Sequence, residues 1–328
     1  MAICRTLKNG MRIVTERMPF LHSVAVGVWI KAGSATETPA QNGISHFIEH
    51  MLFKGTATRD ARELAAAADN VGGQLNAFTA KECTCFHVQV TREHFRLAMD
   101  LLSDMLKNST LEEENLRKEQ GVVCEEIAMV EDTPDDLVHD LAAEVYFREN
   151  PLGRNILGTR KNVRSFHAGM IRDYMAGHYT ADHMVVSIAG NFEEEEAIAL
   201  AEEFFGSGIA PGRACGPEKP EPFVPVSGTL RVHKPNEQMN FCLCYPGTSL
   251  QEHEMRYAAS LFNAVFGGSM SSRLFQEIRE KNGLTYSVFS YPSQYTRYGM
   301  FSIYAGMAPR QTGRVLELID SLIEELRR

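Results

Sequence analysis

Apolar positions along the chain alternate or cluster in a way that divides it into short strands and amphipathic helices. Residues 11–16 and 24–31 read as strands separated by the turn-forming Pro19, and an apolar helix follows from about Gly43. The spacing predicts a second helix over 61–71, stopped by Gly72-Gly73, and one or two strands over 74–91. An amphipathic helix over 93–107 comes next. Another opens near Leu111 with a Thr110-x-x-Glu113 capping box and ends at Thr133-Pro134.

Between Gly206 and Pro225 glycine and proline are denser than anywhere else, as in a linker. Beyond it the pattern predicts strands over 228–233 and 241–245 and a helix over 255–266. A Gly267-Gly268 turn, strands over 285–290 and 299–305 and a helix over 315–328 complete the series. This order repeats the earlier one, so the halves read as diverged copies. The expected organisation is a first domain over 1–205, a linker over 206–226 and a homologous second domain over 227–328. The second is expected to be incomplete, because it stops inside its last helix.

With 328 residues, 44% hydrophobic and 23% charged, the chain can bury an ordinary core and has the length of two domains. A net charge of -9 and the lack of a Lys/Arg run argue against nucleic acid or an anionic membrane as the main partner. No apolar run is long enough to span a bilayer, and the first residues lack the features of a secretory leader. Seven cysteines, an odd number without secretory spacing, fit a reduced compartment. The expectation is a soluble cytoplasmic protein.

Candidate chemistry concentrates in Gly43-Ile-Ser-His46-Phe-Ile-Glu49-His50-Met-Leu-Phe-Lys-Gly55. On a helix, His46 and His50 lie one turn apart on one face and can share a zinc ion. Glu49 is close enough to take a proton from a zinc-bound water, whose pKa the metal lowers. Phe47, Ile48, Met51, Leu52 and Phe53 make the helix apolar nearly all round, where three ionisable groups need a compensating partner. A catalytic zinc usually takes a third protein ligand. On the later helix Glu119 and Glu126, seven residues apart, fall within about 20° of each other among Leu116, Val122, Val123, Ile127 and Val130. Glu125 falls on the polar side. Two carboxylates in an apolar stripe suit either buried ion pairs or a metal site.

H-x-x-E-H is the inverzincin signature, and over essentially its whole length the chain resembles the pitrilysin-type inverzincin zinc metallopeptidases. It is most similar to the branch of the mitochondrial processing peptidase beta subunit and its bacterial relatives. The resemblance implies one zinc per chain held by His46, His50 and Glu126, with Glu49 as general base and Glu119 supporting the site. It implies that Asn76 and Ala77, in Gly72-Gly-Gln-Leu-Asn-Ala-Phe-Thr79, belong to an edge strand to which substrate adds as a further strand. It also implies that Arg279 and Tyr286 reach the substrate, the tyrosine donating to the developing oxyanion. The fold implied is α+β: two homologous halves, each an antiparallel sheet with packed helices, closing like a clamshell, often in homodimers or heterodimers with a homologous subunit.

Several features read as structural. Cys83-x-Cys85 and Cys242-x-Cys244 each put two thiols on one side of a strand, where small buried residues suffice. Trp29 reads as core, Cys124-Glu125 as a surface variation, and Glu193 to Glu196 as a solvated helix start. The function expected is a zinc endopeptidase of extended or unfolded peptides. The alternative is a noncatalytic peptide-binding or partner subunit of the same family. A structural zinc protein fits less well, since such sites fill four positions with His or Cys.

Overall fold

The computed structural model describes residues 2–212 and 223–327. In chain order the elements are β1 (Ile3–Thr6), β2 (Arg12–Arg17), β3 (Ser23–Ile30), α1 (Ile44–Leu52), α2 (Ala61–Asp69), β4 (Gln74–Thr79), β5 (Thr84–Thr91) and α3 (Phe95–Asn108). There follow α4 (Glu113–Asp132), α5 (Pro134–Phe147), α6 (Arg160–Val163), α7 (Ala168–His178), β6 (Met184–Gly190) and α8 (Glu194–Phe205). After the linker region come β7 (Met239–Gly247), α9 (His253–Phe266), a π-helix (Phe275–Lys281), β8 (Thr285–Gln294), β9 (Gly299–Met307) and α10 (Thr312–Leu326). Among the described residues no helix is long and apolar enough to cross a membrane.

Most elements match the sequence periodicity, while β1, α5, α6, α7 and β6 are additional to those it predicts. Residues 228–233, expected as a strand, are irregular, and Leu230 and Val232 lie about half exposed. A period of two supplied the pattern, but among the described residues no neighbouring strand pairs with it. The centre of the expected linker, including Cys215, lies outside the described residues.

The chain divides into two compact units, Met1–Ile127 with Arg154–Pro220, and Ala128–Gly153 with Glu221–Arg328. Helix α5, within the first 205 residues, packs on β7 and belongs to the second unit.

In the first unit six strands run in the order β1-β2-β6-β3-β5-β4. All neighbours are antiparallel except β2 and β6, a parallel pair made when β6 inserts between β2 and β3. The inward residues of β3, Val24, Val26, Val28 and Ile30, join Phe47, Phe86, Phe95, Leu102 and Phe192 in one core beneath α1, α3 and α8. Trp29 points the other way: it is 40% exposed, not core, and its indole donates to Ser187 Oγ at 3.0 Å. The strand's two-residue period forces this, because Val28 and Ile30 take the core face. Cys124, expected at the surface, is buried at 8% exposure, whereas Val122, expected in the apolar stripe, is half exposed.

Two devices hold α1 in place. Arg59, Thr56 and Thr58, between α1 and α2, all donate to the buried Asp104 of α3 at 2.8 Å. At the other end, Gly43 and Gly158 bring two backbones together: a Cβ on Gly158, at φ +72°, would lie 2.2 Å from the Asn42 carbonyl oxygen. Gly158→Ala should therefore destabilise the protein by about 2 kcal/mol or more, through strain and the forced shift of the α1 start. Denaturant unfolding compared with the parent chain measures this.

Candidate metal centre

Helix α1 begins at Gly43, in the left-handed region at φ 99°, and has no side-chain N-cap of its own. Glu37 serves instead: buried at 3% exposure, its carboxylate accepts from the backbone N–H groups of Gly43 and Ser45 at 2.8 Å and from Asn42 Nδ2 at 3.0 Å. Burial raises the Glu37 carboxyl pKa, and these donors oppose the rise. Ser45 Oγ meets Tyr174 OH at 2.9 Å, which also meets Thr36. The helix start is thereby pinned from two sides.

With Ile44, Phe47, Ile48, Met51 and Leu52 in the core, His46, Glu49 and His50 share the remaining sector. His46 Nε2 and His50 Nε2 each lie 3.7 Å from Glu126 Oε2 on α4, and the donor atoms of these three residues fall within 4.8 Å of one another. A separation of 3.7 Å is too long for hydrogen bonds. It is close to the roughly 3.4 Å between nitrogen or oxygen ligands on one tetrahedral zinc. The buried Nδ1 of His46 has no hydrogen-bond partner among the described residues. Two imidazoles and a carboxylate converging without a proton between them form a donor set that fits a zinc ion.

Second-layer contacts orient this set. His50 Nδ1 meets Glu119 Oε2 at 3.0 Å, which turns Nε2 toward Glu126, and Lys54 Nζ pairs with Glu119 Oε1 at 2.7 Å. Glu119 is buried, so the lysine and imidazole supply the compensation that its position demands. Thr79 on β4 donates its hydroxyl to Glu49 Oε2 at 2.5 Å. Burial raises the Glu49 carboxyl pKa, against the opposing Thr79 bond and the nearby His50. A carboxylate with elevated basicity beside three potential metal ligands can accept a proton.

The structure thus brings together His46, Glu49, His50, Glu119 and Glu126. Asn76 and Ala77 lie on β4, the edge strand of the sheet; Ala77 faces inward with Thr79, Asn76 is exposed, and its Oδ1 accepts from the Ala77 N–H at 2.8 Å. Arg279 and Tyr286 neighbour each other in the second unit, the guanidinium 5.0 Å from the ring centre, with Tyr286 81% exposed. Sequence reasoning missed Glu37, Lys54 and Thr79. Lys54, four residues after His50, and Thr79, two after Ala77, were accessible from periodicity alone; Glu37 was not, because its role depends on a loop returning to the helix start.

Two family models match the chain, one described as Insulinase (Peptidase family M16) over residues 12–160 and one as Peptidase M16 inactive domain over residues 165–328. An uncharacterized zinc protease of Bacillus subtilis, YmxG, is 48% identical over 323 residues, covering 98% of this chain and 78% of that protein. An uncharacterized zinc protease of Streptomyces coelicolor is 43% identical over 318 residues, covering 95% and 69%. A crystal structure of a protease from Helicobacter pylori shares the fold with a TM-score of 0.92 at 22% identity, covering 99% of this chain and 80% of that one.

Burial, reinforced by the His50 charge, lowers the His46 pKa from 6.5 to about 4. An unfolded chain then takes up a proton that the folded chain refuses, so this residue's effect is absent above the unfolded pKa and destabilises as pH falls, saturating below the folded one. Metal-free protein should lose about 2 kcal/mol from this group between pH 7 and pH 5. The unfolding free energy of His46→Gln, measured at both values, should fall by correspondingly less.

Proposed function

The chain belongs to the insulinase-type peptidase family M16, and on that footing we propose that it is a zinc-dependent endopeptidase cutting extended or unfolded peptides. The observation that carries the reading is the convergence of His46, His50 and Glu126 beside a buried, hydrogen-bonded Glu49.

One zinc per chain would be held by His46, His50 and Glu126. When bound, it supplies a Lewis acid that acidifies water and polarises a carbonyl. Glu49 is the general base: it takes the proton from the attacking water and returns it to the leaving amine. Thr79 holds one Glu49 oxygen and leaves the other free for this transfer. Glu119, clamped by Lys54, keeps His50 in the tautomer that offers Nε2.

Substrate adds to the open edge of β4, and its backbone replaces the Asn76 side chain at the Ala77 N–H. An extended peptide can make those bonds, whereas a segment inside a folded domain has its own groups already paired. Arg279 and Tyr286 act on bound substrate, with the exposed tyrosine hydroxyl donating to the carbonyl oxygen as charge develops. A functional dimer, of two copies or with a homologous subunit, belongs to the same proposal.

Two substitutions test the reading. Glu126→Gln should lose most of the zinc found in purified wild-type protein, measured by elemental analysis at about one ion per chain. Glu49→Gln should retain that zinc and lower cleavage of an unstructured peptide by about a hundred- to ten-thousandfold. Full activity in Glu49→Gln would sink the mechanism. A zinc-loaded wild type that binds peptides and cuts none would favour the noncatalytic subunit.

A further inference from the structure

The second unit carries a polar group of side chains that the proposed peptide hydrolysis does not use. Its sheet runs in the order β7-β9-β8. One face, with Leu243, Val288, Ile303 and Ala305, packs into a core with Phe266, Val315 and Ile319. The opposite face is set by the register: Cys242 aligns with Tyr304 and Cys244 with Ser302 across β7 and β9, while Phe289 and Tyr291 of β8 align with the same two β9 residues. Helix α5 packs on β7 here and contributes His139, whose Nδ1 lies 2.6 Å from Tyr291 OH and whose ring centre is 5.0 Å from that of Tyr304.

Cys242 is the focus of this group. Its sulfur lies 4.0 Å from that of Cys244, and the strand register sets it opposite Tyr304, against whose ring the His139 imidazole packs. Cys244 in turn meets Ser302 Oγ at 3.9 Å. Both thiols line a cavity of about 830 Å³ between α5, β7 and the irregular residues before β7, with Leu137, Leu141, Leu230 and Val232 among its walls. The other Cys-x-Cys pair provides a contrast within one chain. Burial pushes the Cys85 thiol up to about 12, as for an inert space-filling cysteine. The Cys244 hydrogen bond, joined by His139, pulls Cys242 below the ordinary thiol range in spite of its burial. A thiol beside an imidazole and a second thiol, with a route of access, is the environment of a reactive cysteine.

We propose that Cys242 is a nucleophilic thiol, activated by His139 and supported by Cys244 and Tyr291, that is oxidised by hydrogen peroxide entering through this cavity. His139 accepts the thiol proton, and the sulfur attacks one peroxide oxygen. The S–O bond forms, the O–O bond breaks, and the departing hydroxide takes the imidazolium proton and leaves as water. Cys242 is oxidised to a sulfenic acid and the peroxide is reduced.

The test is oxidation of the full folded chain with a few equivalents of hydrogen peroxide in the presence of dimedone, which traps sulfenic acids, read by peptide mass spectrometry. The exposed Cys4 is the internal reference. Cys242 should be trapped at least about tenfold faster than Cys4, although it is less exposed. A Cys242–Cys244 disulfide, formed when the Cys244 thiol displaces the sulfenic hydroxyl as water, counts as the same result. His139→Gln and the milder Tyr291→Phe should bring the rate toward that of Cys4. Trapping no faster than Cys4 in wild type, or a rate unchanged in both variants, overturns the proposal. The comparison within wild type needs no variant, and repeating it in Glu49→Gln separates it from the peptidase reading, since the same labelling is expected there.

Discussion

Helix α1 is enclosed by the core along most of its surface, and this enclosure obliges its ionisable residues to find partners. Phe47, Ile48 and Leu52 are wholly buried and Met51 nearly so, leaving one sector for His46, Glu49 and His50. A buried carboxylate without compensation would cost several kcal/mol. Each one around α1 is matched: Glu37 by backbone N–H groups at the helix start, Glu119 by Lys54 and His50, and Glu49 by Thr79. The same contacts that make the charges tolerable also orient them. Stability and site geometry therefore rest on one set of hydrogen bonds.

Strand β4 joins this arrangement to the sheet edge through simple alternation. Leu75, Ala77 and Thr79 turn inward and Gln74, Asn76 and Phe78 outward. A single strand thus offers a hydroxyl to Glu49 on one face while forming the edge of the sheet among the described residues. Because the strand is antiparallel to β5 in continuous register, the position of Thr79 relative to α1 is a consequence of sheet pairing, with little freedom for a loop to blur it.

The second unit uses its three-stranded sheet differently. One face is an aliphatic and aromatic core, and the other holds thiols, hydroxyls, an imidazole and a cavity. The alternation of Leu243 with Cys242 and Cys244, and of Ile303 with Ser302 and Tyr304, writes both faces into the same strands. Helix α5 supplies the imidazole, although most of a hundred residues separate it from β7 in the chain.

Much of this is legible in the sequence. The periods of 2 and 3.6 marked β2 to β5 and β7 to β9 with helices α1 to α4, α9 and α10, and H-x-x-E-H put two imidazoles and a carboxylate on one helical turn because that spacing is purely local. The wheel of α4 likewise brought Glu119 and Glu126 to one side, and both do face α1. What periodicity does not encode is the identity of the partner across a gap. It therefore missed β6 and its insertion between β2 and β3, α5 and its membership in the second unit and the lack of a strand at 228–233, and Trp29, read as core, lies on the outer face of β3. Glu37 and the His139–Tyr291 contact escaped for the same reason, since each joins residues that only the folded chain brings together. The sequence by itself determined which side chains share a turn or a strand face, since those relations depend on neighbouring bond angles. The tertiary structure alone decided which faces meet, because that depends on how the whole core closes.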